Sequence, residues 1–342
     1  MATAPRVKRP TSRDVARLAG VSQTTVSLVM NDVPTVAIPE ETRNRVRQAI
    51  AELDYHPHEG ARSLSRKATH TIGVLIPDAN NPHYLDIVTG IEEYLERHGY
   101  SVFVVITNFN VDRERRSLQW LKQRRMDALI LSPSSDGELE PEYAAMRERG
   151  YVLTMVLEEV RMPIDSGERL LLEHLLALGH RRIGYIYGVA NMEYYGKRLQ
   201  ICLSLHRTRG IPLRDEWIRV CGPNVAEAYQ ATLDLLAACG EGERPTALVA
   251  VNDLLAMGVL SALHAAGVVV PTQMSVAGFD NTRLAPYTVP PLTTVDADAR
   301  TIGAHAARLT LSRLTDKQEP LAPEEIHPLL MVRGSTGPAP LL

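Results

Sequence analysis

Two groups of residues in this 342-residue chain have side chains suited to recognition. The first is Ser22-Gln23-Thr24-Thr25 with Ser27, a run of hydroxyls and an amide at the head of a short apolar-periodic stretch. Such groups both donate and accept, which suits base edges and phosphates. The second is a set of acids, amides and aromatic hydroxyls placed just after apolar runs: Asp78, Asn81-Pro82-His83-Tyr84, Asn252-Asp253 and Asp280-Asn281. Parallel α/β sheets bind ligands beyond the C-terminal ends of their strands, where these residues would stand. Nothing resembles a catalytic constellation: there is no GxSxG, P-loop, HExxH or Cys–His pair with a local signature. Cys202, Cys221 and Cys239 form no CxxC pattern and read as reduced thiols. His174 and His180, six apart, favour structural roles over a metal site.

The first group must be positioned by helices. Thr11 can cap one, with Asp14 in the place of the capping-box acid. Val15, Ala16, Leu18 and Ala19 supply its apolar face. Gly20 stands where a helix ends in a left-handed residue, and Val21 plugs the corner. Ser22 caps a second helix whose inner face is Val26, Val29 and Met30, with Asn31 at its end. This spacing predicts a helix-turn-helix, whose second helix enters the DNA major groove by its first positions. A helical hairpin that merely packs has the same spacing. A third helix is predicted over 39–53, with Pro39 in its first turn and Val46, Ala49, Ile50 and Leu53 inward. Arg43, Arg45 and Arg47 on it could touch DNA or form a solvated face.

Charge divides along the chain in the same way. Residues 1–70 hold 11 Lys+Arg against 7 Asp+Glu, and the rest 26 against 33. The basic part is the one with the helix pair, as phosphate neutralisation requires. The stretch His58 to Lys67, HEGARSLSRK, reads by composition as a linker with weak helical tendency. From Thr71 the pattern becomes apolar strand then amphipathic helix, repeatedly, in two blocks at roughly 71–157 and 158–291. That pattern predicts parallel sheets covered on both faces. No apolar run has signal-peptide form or reaches about 18 residues, so a soluble chain that stays inside the cell is expected.

The stretch T-x-x-D-V-A-x-x-A-G-V-S-x-x-T-V-S-x-V-x-N over residues 11–31 resembles the signature of the lactose-repressor/galactose-repressor (LacI/GalR) family. LEHLLALGHRRIGYI (172–186), ALVAVNDLLAMGVLSAL (247–263), VPTQMSVAGFD (270–280), VPPLTTV (289–295) and MVRGST (331–336) extend the likeness over nearly the whole chain. The resemblance implies an α/β architecture: an all-α helix-turn-helix headpiece at 1–57, a hinge helix at 58–70, and a two-lobed periplasmic-binding-protein-like core at 71–342. The chain would cross between the lobes three times. Carried over residue by residue, Gln23 and Thr24 read bases, and Ser22, Thr25 and Ser27 contact phosphate or sugar. Thr11 and Tyr55 complete the headpiece contacts. Leu28 departs from the basic or polar residue of many relatives and offers only apolar contact, for instance to a thymine methyl. In the hinge, Ala61 and Leu64 match the minor-groove floor, Leu64 as the wedge that kinks the duplex, and Arg62 a groove or backbone contact. Tyr84, Arg198, Asn252 and Asp280 match effector contacts, a donor and acceptor set suited to a polyhydroxylated sugar.

Two departures stand out. Arg198 precedes Leu-Gln-Ile-Cys where relatives have x-x-Gly-Phe. Between Leu157 and the helix before His174, about ten residues of a longer loop and strand are missing relative to the pattern. The expectation is a bacterial, cytoplasmic, nucleoid-associated repressor, not an enzyme. It would work as a homodimer on double-stranded operator DNA and respond to a sugar-like effector, with no cofactor, metal or membrane. The alternatives are an operator binder that lost small-molecule sensing through the short stretch at 158–168, and a sugar-binding module.

Overall fold

The computed structural model describes residues 10–30, 37–55, 68–135, 137–160, 164–188, 193–315 and 326–341. Contacts divide the chain into two compact units, 1–69 and 70–342.

The smaller unit is helical. Helix α1 (Ser12–Ala19) begins with a complete capping box: the Asp14 amide donates to Thr11, and the Thr11 backbone and hydroxyl donate to the Asp14 carboxylate. It ends at Gly20 with φ 66°, a left-handed conformation open to glycine at no steric cost. Ser22 caps α2 (Gln23–Met30), its hydroxyl accepting from the Thr25 amide at 3.1 Å. Helix α3 (Glu40–Glu52) follows, with Pro39 at the cap itself, one position before the expected first turn. Val15, Ala16, Ala19, Val26, Val29, Val46 and Ala49 form one core among the three helices. Leu18, expected inside, is 46% exposed, because at about 100° per residue it falls at the edge of the stripe formed by Val15, Ala16 and Ala19.

The larger unit holds two sheets. The first has the order β2-β1-β3-β4, from β1 (Thr71–Ile76), β2 (Ser101–Ile106), β3 (Ala128–Leu131) and β4 (Val152–Met155), all parallel. The second has the order β10-β9-β8-β7-β5-β6, from β5 (Ile183–Gly188), β6 (Ile218–Cys221), β7 (Ala247–Ala250), β8 (Ser275–Phe279), β9 (Thr293–Asp296) and β10 (Leu329–Met331). Its strands are parallel except β10, which runs antiparallel to β9. The central strands are buried throughout, which is why they read as continuous apolar runs.

Helices cover the sheets: α4 (Pro82–Glu96), α5 (Val111–Gln123), α6 (Glu140–Glu148), the single turn α7 (Val156–Glu159), α8 (Ile164–Ala177), α9 (Glu193–Arg209), α10 (Val225–Ala238), α11 (Asp253–Ala265) and α12 (Ala299–Thr315). Helix α12 leaves the second lobe after β9 and packs on α4, β3 and β4 of the first. The chain then returns to form β10, so it passes between the lobes three times. The second block, expected to end at roughly 291, extends through β9 to Asp296, and α12 lies beyond both blocks. His180 ties the second sheet together, its ring bonded to Thr246, Ser275 and the Gly337 carbonyl. Among the described residues no helix is long and apolar enough to cross a membrane.

Candidate functional site: headpiece surface and interlobe cleft

On the headpiece, α2 turns Val26 and Val29 inward and leaves Ser22, Gln23, Thr24 and Ser27 exposed. Thr25 and Leu28 are half-buried at the edge of that face. Thr11 and Ser22 are engaged as caps, and Tyr55 packs partly buried against the core. Ala61, Arg62 and Leu64 lie outside the described residues.

In the larger unit, both sheets reverse strand order beside their first strand, β1 in one and β5 in the other. Crevices form beyond the carboxyl ends of strands at such points. Asp78 follows β1, Gly188 ends β5 and Asn252 follows β7. These three line one small cavity with Asn81, Tyr84, Phe109, Tyr195, Pro223, Val251 and Leu255. Its volume is about 10 Å³, room for a single water. The lobes are closed on it by their own side chains. The Tyr84 and Tyr195 hydroxyls meet at 3.0 Å, and Asn81 Nδ2 donates to Asp280 at 3.4 Å. His83 Nδ1 lies 3.5 Å from Asp280 Oδ1, and Arg283 bonds Asp86 at 2.6 Å.

The sequence sets these positions locally. Asn81 caps α4, accepting from the His83 amide, and Pro82 needs no hydrogen-bond partner at the first helical position. Asp280 and Asn281 turn the chain after β8 with φ 103° and 47°, strained for side-chain-bearing residues. Burial pushes the Asp280 carboxyl above its usual range, against the opposing pull of His83 and Arg198. Burial and the neighbouring Asp280 carboxylate push Tyr195 up to about 12, and Tyr84 also rises.

Asn252 lines the cavity and also caps the helix that follows it, α11, its Oδ1 accepting from the Leu255 amide at 2.9 Å. Asp253, the first residue of α11, is buried and accepts from the Thr282 amide and hydroxyl and from the Thr294 hydroxyl. Burial and Asp280 push its carboxyl up to about 7.

Arg198 sits behind the tyrosines, and its surroundings could not be read from sequence. Glu168 of α8 pairs with its Nε at 2.5 Å, both side chains almost fully buried. The Phe279 ring covers the guanidinium at 3.8 Å. Gly167 makes room for that ring, since a methyl there would lie 2.6 Å from it. Cys202 donates to the second Glu168 oxygen at 3.3 Å and meets the Tyr187 hydroxyl at 3.5 Å. Glu168, Tyr195 and Phe279 are among the residues at the cleft that the sequence reading missed, as are Phe109, Gly188 and Pro223 of the lining. Tyr195 had one signal: it precedes Arg198 by three, on the same helical face.

Two family models match the chain. One, for bacterial regulatory proteins of the lacI family, covers residues 11–58, and one for a periplasmic binding protein-like domain covers 172–336. The HTH-type transcriptional repressor PurR of Aliivibrio fischeri is 33% identical over 335 residues, spanning 95% of this chain and 98% of the relative. The chain belongs to the lacI family of bacterial regulatory proteins. The PurR of Vibrio vulnificus is also 33% identical, over 94% of this chain and 97% of its own. Among solved structures, a lac repressor dimer bound to operator and the anti-inducer ONPF superposes with TM-score 0.82 at 27% identity, over 96% and 100% of the two chains. The transcriptional regulator CelR in complex with cellobiose does so with TM-score 0.67 at 26% identity, over 96% and 100%. The chain is thus a DNA-binding transcriptional regulator with a two-lobed core.

Proposed function

We propose that this member of the family is a cytoplasmic homodimeric repressor whose operator affinity is set by a sugar-like molecule taken up between the lobes. The observation that carries the reading is convergence on one crevice. Tyr84 and Asn81 of the first lobe meet Tyr195 and Asp280 of the second beside Asn252, at the strand-order reversal of both sheets. These groups offer hydroxyl, amide and carboxylate partners against aromatic walls, the composition a polyhydroxylated ligand requires. Relatives solved with cellobiose and, in Enterococcus faecium, with ribose support that class. On the headpiece, we assign base reading to Gln23 and Thr24, with Leu28 adding apolar contact, and backbone contacts to Thr11, Ser22, Thr25, Ser27 and Tyr55. In the hinge, Ala61, Arg62 and Leu64 are assigned to the minor groove.

A second copy is the partner that suits the exposed apolar surface of the core. Tyr287 and Val289 are 82% and 92% exposed beside a groove lined by Met257, Leu260 and His264. On the first lobe, Phe103 and Val104 stand exposed on edge strand β2. The lac repressor solved on operator is a dimer, which supports self-association through such faces.

The test couples the two sites. Operator affinity is measured by fluorescence anisotropy at several salt concentrations while a sugar and nucleoside panel is screened by thermal shift. The reading expects at least one compound that stabilises the core and changes operator affinity. A compound that binds the core and leaves operator affinity unchanged at every salt concentration refutes the coupling. Operator binding with no responsive compound would favour the reading in which the short stretch at 158–168 has removed sensing.

A further inference from the structure

We propose that Glu168 sets the charge selectivity of the cleft. By neutralising Arg198 it leaves a site for uncharged or aminated polyhydroxyl ligands and excludes phosphorylated or carboxylated ones. This rests on the effector reading above and refines it.

An anion entering a protein site needs a cation or a row of amide donors that is not already engaged. Among the described residues around this cleft, Arg283 at the rim is already bonded to Asp86 at 2.6 Å, and the buried permanent cation is Arg198. Its guanidinium is paired with Glu168 at 2.5 Å and roofed by Phe279. The helix N-termini beside the cleft are satisfied by their own residues, α5 by Asn110 and α10 by Asn224 among them. Asn81 caps α4, where Pro82 has no N–H to offer, and Asn252 caps α11, whose first turn carries Asp253. Two further carboxylates face the space: Asp78 in its lining and Asp280 beside the tyrosine pair. An ammonium group would find those acids as partners, whereas a phosphate would meet two like charges. His83 offsets Asp280 only when protonated, at 3.5 Å. Glu168 also occupies the helix that follows the shortened stretch, so the residue that closes off Arg198 lies where this chain departs most from the family pattern.

The experiment uses the full-length protein and inorganic phosphate. Thermal unfolding of wild type, Glu168→Gln and the Glu168→Gln/Arg198→Gln double variant is compared in phosphate and chloride at matched ionic strength. Phosphate bound by the basic headpiece is common to all three. The assignment expects a phosphate-dependent rise of several degrees in Glu168→Gln alone, with wild type and double variant behaving alike. A wild type that rises above the double variant, or a Glu168→Gln that does not, overturns it. In a second arm, matched neutral, aminated, phosphorylated and carboxylated pentoses and hexoses are titrated into wild type. Acidic members are expected to bind at least about tenfold more weakly than their neutral parents. An acidic member that binds as tightly as its parent overturns the assignment. If no sugar of any charge binds, the effector reading fails while the phosphate comparison still decides the role of Glu168.

Discussion

Gly303→Ala should destabilise the core even though it raises helix propensity. Gly303 of α12 faces Gly90 of α4, and each lies against the other helix's backbone. A methyl on Gly303 would overlap the Ile87 carbonyl oxygen and lie 2.9 Å from its carbon and 3.0 Å from the Ile91 nitrogen. Backbone cannot rotate away as a side chain can, so the helices must part by roughly 1 Å, enough to forfeit a quarter to a half of each contact's dispersion energy. The seam is densely apolar: Ile87, Ile91, Ala306 and Ala307 are fully buried and Ile302 nearly so. Overpacking of this kind costs about 1–3 kcal/mol or more, and the gain from replacing a mid-helix glycine is at most about 1 kcal/mol. A net loss of about 2 kcal/mol is expected, read as a lower urea midpoint at unchanged slope. Gly196→Ala is the control. It lies in α9 with nothing within 4 Å of the added methyl, so it should stabilise by up to about 1 kcal/mol. If Gly303→Ala matches this control, α12 does not pack on α4 as described and the return of the chain to the first lobe is wrong.

Four further outcomes are expected. Asp253 has a folded-state value of about 7, above that of an unfolded aspartate, so its contribution is fully present below about pH 4 and lost as pH rises through 7. Asp253→Asn keeps the Thr282 contacts through its one amide oxygen and donates from its Nδ2 to a reversed Thr294 hydroxyl, and its stability relative to wild type should rise by about 2–4 kcal/mol between pH 4 and pH 8 in paired denaturation curves; a flat difference would show that the carboxyl is not held protonated. Thr11→Ala removes the capping box and should cost the headpiece about 1 kcal/mol, seen as loss of helicity on heating. Gln23→Ala should relax base preference in a binding-site selection, and an unchanged preferred sequence would assign that reading to another residue. Leu64→Ala should weaken operator binding far more than binding to random DNA, as the proposed assignment of a wedge rather than a phosphate contact requires; equal losses on both would refute the hinge assignment.

What the sequence made legible follows the range of the interactions. The headpiece helices are fixed by contacts three or four residues apart, Thr11 with Asp14 and Ser22 with Thr25, so their starts could be read directly. The buried strands β1, β3, β5, β7 and β8 announced themselves as apolar runs. Strands β6 and β9 did not, since β6 is half exposed and Thr293 and Thr294 of β9 are polar residues satisfied by side-chain hydrogen bonds. The destination of α12 was equally hidden, because its partners Ile87 and Ile91 lie more than 200 positions earlier. Asp280 and Asn252 could be located from their places after strands. Their neighbours could not, as Tyr84–Tyr195 spans 111 positions and Glu168–Arg198 spans 30.

The same contacts constrain how a ligand can act. A space of about 10 Å³ cannot hold a sugar, so a ligand must displace the bonds that now close the lobes. Those bonds converge on one turn: Asn81, His83, Tyr84 and Asp86 all belong to the start of α4, and their partners Tyr195, Asp280 and Arg283 to the second lobe. Two turns further along, α4 is locked to α12 at Gly90 and Gly303. Arg313 of α12 in turn bonds the Leu153 carbonyl on β4 at 2.8 Å and Glu159 at 2.7 Å. Movement at the cleft therefore carries α4, α12 and the edge of the first sheet together rather than bending one loop. A ligand shifts this equilibrium only by the difference between the contacts it makes and those it replaces. Its donors and acceptors must accordingly outbid a tyrosine pair and a carboxylate already bonded to each other, which favours a ligand with several hydroxyls over one with a single polar group.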